Sequence, residues 1–277
     1  MNSRSFWAVL VAACIAGTSG IFIKSMGISP ISQAWLRMAF PASLMALLML
    51  IDGTAFFRGR WKKMLMISGL GSIRIVLFFI AFSYTSIGNA VILFYTFPIF
   101  AAFFSFLIIK EKTSLFQRLL LAVAFGGILL SFSNKEFSFG NQDFLGMTAA
   151  IVSAIIYSLT VVLFKSESKN YKLKELVFYQ NLVGAIILFP FFQFAEAQVR
   201  DYTLGLTYGL IIGVIGFGLF FYGLKQLKAV TASALMYMEV VSAVLFGVWF
   251  FNETLSTPMI IGGLLIVGCS YGLSLTR

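Results

Sequence analysis

The stretches NAVILFYTFPIFAAFFSFLIIKEKTS (residues 89–114) and TASALMYMEVVSAVLFGVWFFNETLS (residues 231–256) lie 142 positions apart and align without a gap. Extended to 71–126 against 213–268, the same offset holds thirteen identities in 56 positions, Tyr95 with Tyr237 and Glu111 with Glu253 among them. Apolar composition raises the rate of chance matches. Composition does not explain a glutamate with a serine three residues on, kept at one offset as Glu111/Ser114 and Glu253/Ser256. The two stretches therefore read as copies of one unit. What fold they make depends on how many helices each copy holds.

The count comes from hydropathy. Of 277 residues, 60 % are hydrophobic and 11 % charged, with mean hydropathy +0.97, whereas soluble domains carry about 25 % charged residues. A membrane-crossing helix needs about 20 apolar residues. Charged, Pro, Gly and Asn punctuation divides the chain into ten such runs, near 6–24, 30–51, 63–84, 87–109, 114–132, 143–164, 173–194, 203–224, 228–251 and 257–275. The N-terminal run is counted as the first span, not as a signal peptide. The connections are too short for a soluble domain.

Charge placement tests the count. With the N-terminus in the cytoplasm, inside positions hold 15 Lys or Arg, clustered at Arg58–Lys63, Lys110–Arg118, Lys165–Lys174 and Lys225–Lys228 and at both termini. Outside positions hold only Lys24, Lys135 and Arg200, while Arg37 and Arg74 fall within runs. That asymmetry predicts both termini inside. The net charge of +10 thus sets topology and forms no basic, aromatic-interleaved patch for nucleic acid. There is no histidine, so imidazole metal sites and His-based catalysis are excluded. No Walker A pattern is present, and no metal or cofactor is expected. Cys14 and Cys269 imply no disulfide framework.

A unit of five spans is odd, so its second copy enters the membrane from the opposite side. The chain is predicted to be an all-α integral membrane protein of ten transmembrane helices. Two inverted five-helix repeats, 1–134 and 135–277, would surround a central cavity. Secondary transporters use this architecture for alternating access, and one chain completes a pathway, so a monomer suffices.

The paired segments, each followed by a Gly-bearing helix (AFGGILL, 124–130; IIGGLLIVG, 260–268), resemble the drug/metabolite transporter superfamily in its ten-helix, EamA-type branch. Arg37 in AWLRMAF is similar to an arginine often found in the second helix of these domains. The resemblance covers nearly the whole chain. It implies a helical basket with spans 1, 3, 4, 6, 8 and 9 lining the cavity and spans 5 and 10 at the periphery. It also implies cargo among amino acids, other metabolites, nucleotide sugars and drugs. Val240 stands where the first repeat has Pro98, so span 9 is expected to be straighter than span 4, with Pro98 kinking the latter beside the cavity.

Glu239 lies about 11 residues, or about 16 Å, into span 9, near mid-membrane, where an ionisable group costs about 2.5–3.5 kcal/mol. It is a candidate proton-coupling carboxylate, a counter-ion for a substrate amine, or a structural partner for arginine. Arg74 shares its depth on span 3. The two form a closed ion pair or open to receive a zwitterion. Arg37, about seven residues from the end of span 2, reads as snorkelling or pairing with a helix end. Tyr95 and Tyr237, repeat mates with hydroxyls that need partners, complete the substrate-binding candidates. Gly209, Gly213 and Gly216 of span 8, with Pro98, are candidates for packing and gating.

These residues point to a multi-pass secondary transporter of small organic metabolites in a bacterial-type inner (plasma) membrane. The favoured cargo is an amino acid or a related zwitterionic or aromatic metabolite, moved outward, with protons as a candidate coupling ion. The alternatives are import of a metabolite or vitamin, multidrug efflux, a membrane scaffold or sensor, and a lipid-acting enzyme. The last lacks any visible catalytic constellation.

Overall fold

The computed structural model describes residues 3–85, 87–133, 141–252 and 254–275. Lys135, Glu253 and Arg277, used in the charge and repeat arguments, and the expected boundary at 134/135 lie outside the described residues. Among these residues the helices form ten spans. They are α1a (Ser3–Ala16) with α1b (Ser19–Ser25), α2 (Pro30–Ile51), α3 (Trp61–Tyr84), α4a (Ile87–Phe94) with α4b (Phe97–Ile109) and α5 (Leu115–Ser131). The second half has α6 (Asn141–Glu167), α7 (Leu173–Ile187), α8 (Val199–Gln226), α9a (Ala229–Leu235) with α9b (Met238–Phe251), and α10 (Thr257–Ser274). Among the described residues, seven spans are long and apolar enough to cross a membrane, α5 and α10 are shorter apolar helices, and α7 is a shorter helix of 15 residues. Their outward faces carry bare apolar side chains such as Leu119, Trp249 and Leu264, as a hydrocarbon solvent requires.

The packing keeps its pattern when the halves are exchanged. Helix α3 packs on α6 as α8 packs on α1, α4b on α6 as α9b on α1a, and α3 on α7 as α8 on α2. The pairs α2/α7, α4/α9 and α5/α10 meet across the pseudo-axis. Local geometry repeats as well. Among the described residues, the non-glycine residues with positive φ are Lys110 (55°) and Asn252 (51°), 142 positions apart at the ends of α4b and α9b. Ser114 and Ser256, at the same offset, occupy the N-caps of α5 and α10.

Glu111 of the repeated motif has a structural role. It accepts hydrogen bonds from Ser105 Oγ (2.9 Å) and from the Ala229 backbone N–H (2.8 Å). It thereby caps the start of α9a, in the other half, where a helix exposes unpaired N–H groups and partial positive charge.

The spans are less regular than a hydropathy reading implies, and the expectation for Pro98 needs correcting. Helices α4 and α9 both break, at Tyr95–Thr96 and Met236–Tyr237, within one residue of repeat-equivalent positions. Pro98 lies in the first turn of α4b, where its missing N–H removes no helical bond, so it starts a half-helix. Helix α9 breaks without proline. Met236 and Tyr237 N–H donate to the carbonyls of Ser233 and Ala234, three residues back, at 3.2 and 3.1 Å, a tightened turn of the 3₁₀ type. Helix α1 breaks at Gly17–Thr18, and α8 carries a π-helical stretch over Gly209–Gly216.

The two membrane faces are held differently. On the basic face, Arg58 makes a two-pronged contact to Glu175 (2.5 Å each), and Lys63 (2.8 Å) and Arg60 (3.4 Å) reach Glu167. Lys174 pairs with Asp52. Both glutamate side chains are only 1 % exposed. Hydrogen bonding to Glu175 raises the proton affinity of Arg58 further. On the opposite face, Asp201 accepts from the Gly27 N–H (2.8 Å) and Trp35 packs among Phe189, Phe192 and Phe194.

Candidate functional site

A cavity of about 90 Å³ opens between the halves, room for several waters at about 10–15 Å³ each. Seven spans line it: α1, α2, α3, α4, α6, α8 and α9. Helix α2 is an addition to the set that the resemblance implies, and it brings Arg37. The lining residues run from mid-span toward the Asp201 face. Toward the basic face the same helical faces continue into fully buried Val9, Ile67 and Leu224.

Arg37, Arg74 and Glu239 all line this cavity. The arginines are 4 % and 6 % exposed, so the snorkelling reading of Arg37 is corrected. Its helix is turned inward. Pro41, one turn on, lies against Gly213 of α8, where a Cβ would stand 2.3 Å from the proline ring. Aromatic faces carry both guanidiniums. The Arg74 guanidinium carbon lies 4.7 Å from the Tyr157 ring centroid, with Phe94 at 6.0 Å. Arg37 lies 5.2 Å from the Phe217 centroid. Ser153 Oγ donates to the Arg74 carbonyl (3.1 Å) and fixes the backbone there.

Among the described residues neither arginine has a protein ion pair or hydrogen bond to its guanidinium, and Arg74 Nε is buried without a partner. The closed Arg74–Glu239 pair is thus absent. The three charges lie within Coulombic range of one another but not in salt-bridge contact. Glu239 sits in the first turn of α9b, where the half-helix N-terminus favours negative charge. The Tyr95 hydroxyl is a near neighbour of its carboxylate.

Tyr95 therefore stands behind Glu239 and is not part of the cavity lining. Tyr237 is fully buried, 6.2 Å ring to ring from Tyr95, with its hydroxyl unpartnered and outside the cavity lining. Gly216 is part of the cavity wall. Gly209 and Gly213 instead make room for Phe40 and Pro41. Sequence reasoning missed Tyr157, Tyr208 and Phe217. Neutral rings in an aromatic-rich chain carry no distinguishing signal, and the repeat mate of Tyr157 is Ile15. Among the described residues no cluster of three His, Cys, Asp or Glu could hold a metal.

The model of the EamA-like transporter family matches residues 4–133 and again 144–275. The chain belongs to this family. With it comes membership of the drug/metabolite transporter superfamily, and the multi-pass membrane protein described above is of a transporter kind, not an enzyme. An uncharacterized transporter of Archaeoglobus fulgidus is 26 % identical over 94 % of this chain and 92 % of its own length. Solute carrier family 35 member G1 of Mus musculus is 24 % identical over 98 % of this chain and 78 % of its own. The pseudopaline exporter CntI of Pseudomonas aeruginosa is 24 % identical over 100 % and 98 %. A crystal structure superposes with TM-score 0.83, covering 99 % of both chains at 18 % identity, and shares the fold.

Proposed function

We propose that this EamA-type protein is a secondary active carrier of small organic metabolites, working by alternating access. The favoured cargo is an amino acid or a related zwitterionic or aromatic metabolite. The observation that carries the reading is a cavity between inverted halves, lined by Glu239 at the break of α9 and by the guanidiniums of Arg37 and Arg74 from α2 and α3, neither of which has a protein ion pair among the described residues. In this reading Arg74 receives a substrate carboxylate. Glu239, with Tyr95 beside it, receives an amine or the coupling proton. Broken helices supply hinges and local dipoles at the site, as in other inverted-repeat carriers. The charge bias supports a cytoplasmic basic face in a plasma membrane, and in this reading the cavity faces outward above a closed inner face. The likeness to a protein named as an exporter supports outward movement.

The test is counterflow of labelled candidates in proteoliposomes, wild type against Glu239→Gln. Loss of the pH dependence of flux in the variant is expected. Unchanged flux with unchanged pH dependence would remove Glu239 from the mechanism.

A further inference from the structure

Arg37 and Arg74 set a charge requirement on whatever fills the cavity. Each guanidinium carries five N–H donors, each is at least nine-tenths buried, and neither finds a protein acceptor among the described residues. Stacking on Phe217 and Tyr157 covers their faces. Their edges, where the donors lie, are left for a guest. Buried donors without acceptors are costly, and a buried charge without a counter-charge more so. Glu239 supplies one negative charge against two positive, so the cavity lining sums to +1.

We infer that the cavity takes an organic anion with at least two acidic groups, Arg37 and Arg74 each holding one. This deepens the carrier reading and rests on it. A plain zwitterion with one carboxylate satisfies one guanidinium and leaves the other bare. A molecule with two carboxylates and one ammonium matches all three charged groups, its ammonium meeting Glu239. Planar guanidinium edges suit carboxylates well, since each can form two parallel hydrogen bonds. The aromatic walls at Phe78, Phe94 and Phe220 suit a short apolar spacer between the acidic ends.

Matched pairs that differ by one charge provide the test. Binding to the purified full-length protein in nanodiscs is measured by thermal unfolding and calorimetry for aspartate against asparagine, glutamate against glutamine, 2-aminoadipate against its amide, and succinate against succinamate. At least one acid is expected to bind about tenfold more tightly than its amide, a difference of about 1.4 kcal/mol. Arg37→Gln and Arg74→Gln are each expected to cut that ratio to about threefold or less, with partial recovery in the Lys variants. The wild-type pairs remain informative if a variant fails to fold. The inference is overturned if no acid outbinds its amide, or if the ratio survives both Gln substitutions. Counterflow separates this from the carrier reading. Exchange of neutral ligands alone keeps a carrier and discards the anion, whereas an acid that binds and never exchanges keeps the anion site and discards the carrier.

Discussion

A guanidinium buried at mid-membrane needs something to meet it, and Arg74 is met by a ring where its sequence suggests a carboxylate. Its contact with Tyr157 at 4.7 Å is a desolvated cation–π interaction, of a kind worth about 2 kcal/mol. Tyr157→Leu is therefore expected to lower stability by about 2 kcal/mol in detergent unfolding, while Tyr157→Phe, which keeps the ring, should stay within about 0.5 kcal/mol of wild type. Equal losses in the two variants would assign the effect to the hydroxyl instead. Arg74 and Glu239 were legible in sequence because charge inside an apolar run is rare and helix rise gives depth directly. Arg37 was misread because depth does not give azimuth. Seven residues from a helix end, an arginine can reach outward or turn in. The contact of Pro41 with Gly213 decides, and a single sequence does not show which helix lies opposite.

Helices four and nine show what a repeat conveys and what it hides. The offset of 142 relates two left-handed helix ends and two serine caps, and brings the two breaks within one residue of register, so matching residues make matching local structure. Proline content alone suggested that the ninth span would differ from the fourth. The tightened turn at Met236–Tyr237 arises in packed surroundings instead, as Gly17 of the first span sits against the Glu239 carbonyl and Ser242. Two expectations belong at this scale. Replacing Glu111 by Ala removes a charged acceptor from the start of α9a and should cost about 1.5–3 kcal/mol, with Glu111→Gln milder because one amide oxygen remains. Replacing Gly213 by Val drives a side chain into Pro41, with an overpacking cost of about 1–3 kcal/mol, and moves the helix that carries Arg37. Cargo binding should then fall even at temperatures where the variant is folded. Wild-type affinity in folded Gly213→Val protein would show that the close approach does not position Arg37.

Across the whole molecule, inverted halves make the two faces counterparts. The connection after α2 meets the one after α6 on the basic face, and their repeat equivalents meet on the other face through Gly27 and Asp201. Symmetry was legible from parity and offset. The difference between the faces was not, because partners such as Arg58 and Glu175 lie 117 residues apart. If exchange of the halves' conformations opens the basic face, the ion pairs there must part, and their strength sets how often that happens. The glutamates are buried, but Arg58 is 41 % and Arg60 74 % exposed, so solvent screening holds the loss on removing a glutamate charge below the about 3–5 kcal/mol of a fully buried pair. If that loss falls mainly on the closed state it shifts the balance toward opening. Leu224 reports on this. It is fully buried and continues the cavity-lining face of α8 one turn beyond Phe220. With Cys14 and Cys269 replaced by Ser, a Leu224→Cys reporter should react slowly with an impermeant maleimide applied from the basic side. Adding Glu167→Gln and Glu175→Gln should speed that reaction by about tenfold or more, a shift of about 1.4 kcal/mol, and saturating cargo should alter the rate again. A reporter equally protected in the latched and unlatched proteins, both folded, would mean that these ion pairs only stabilise the fold and that the path to the basic face runs elsewhere.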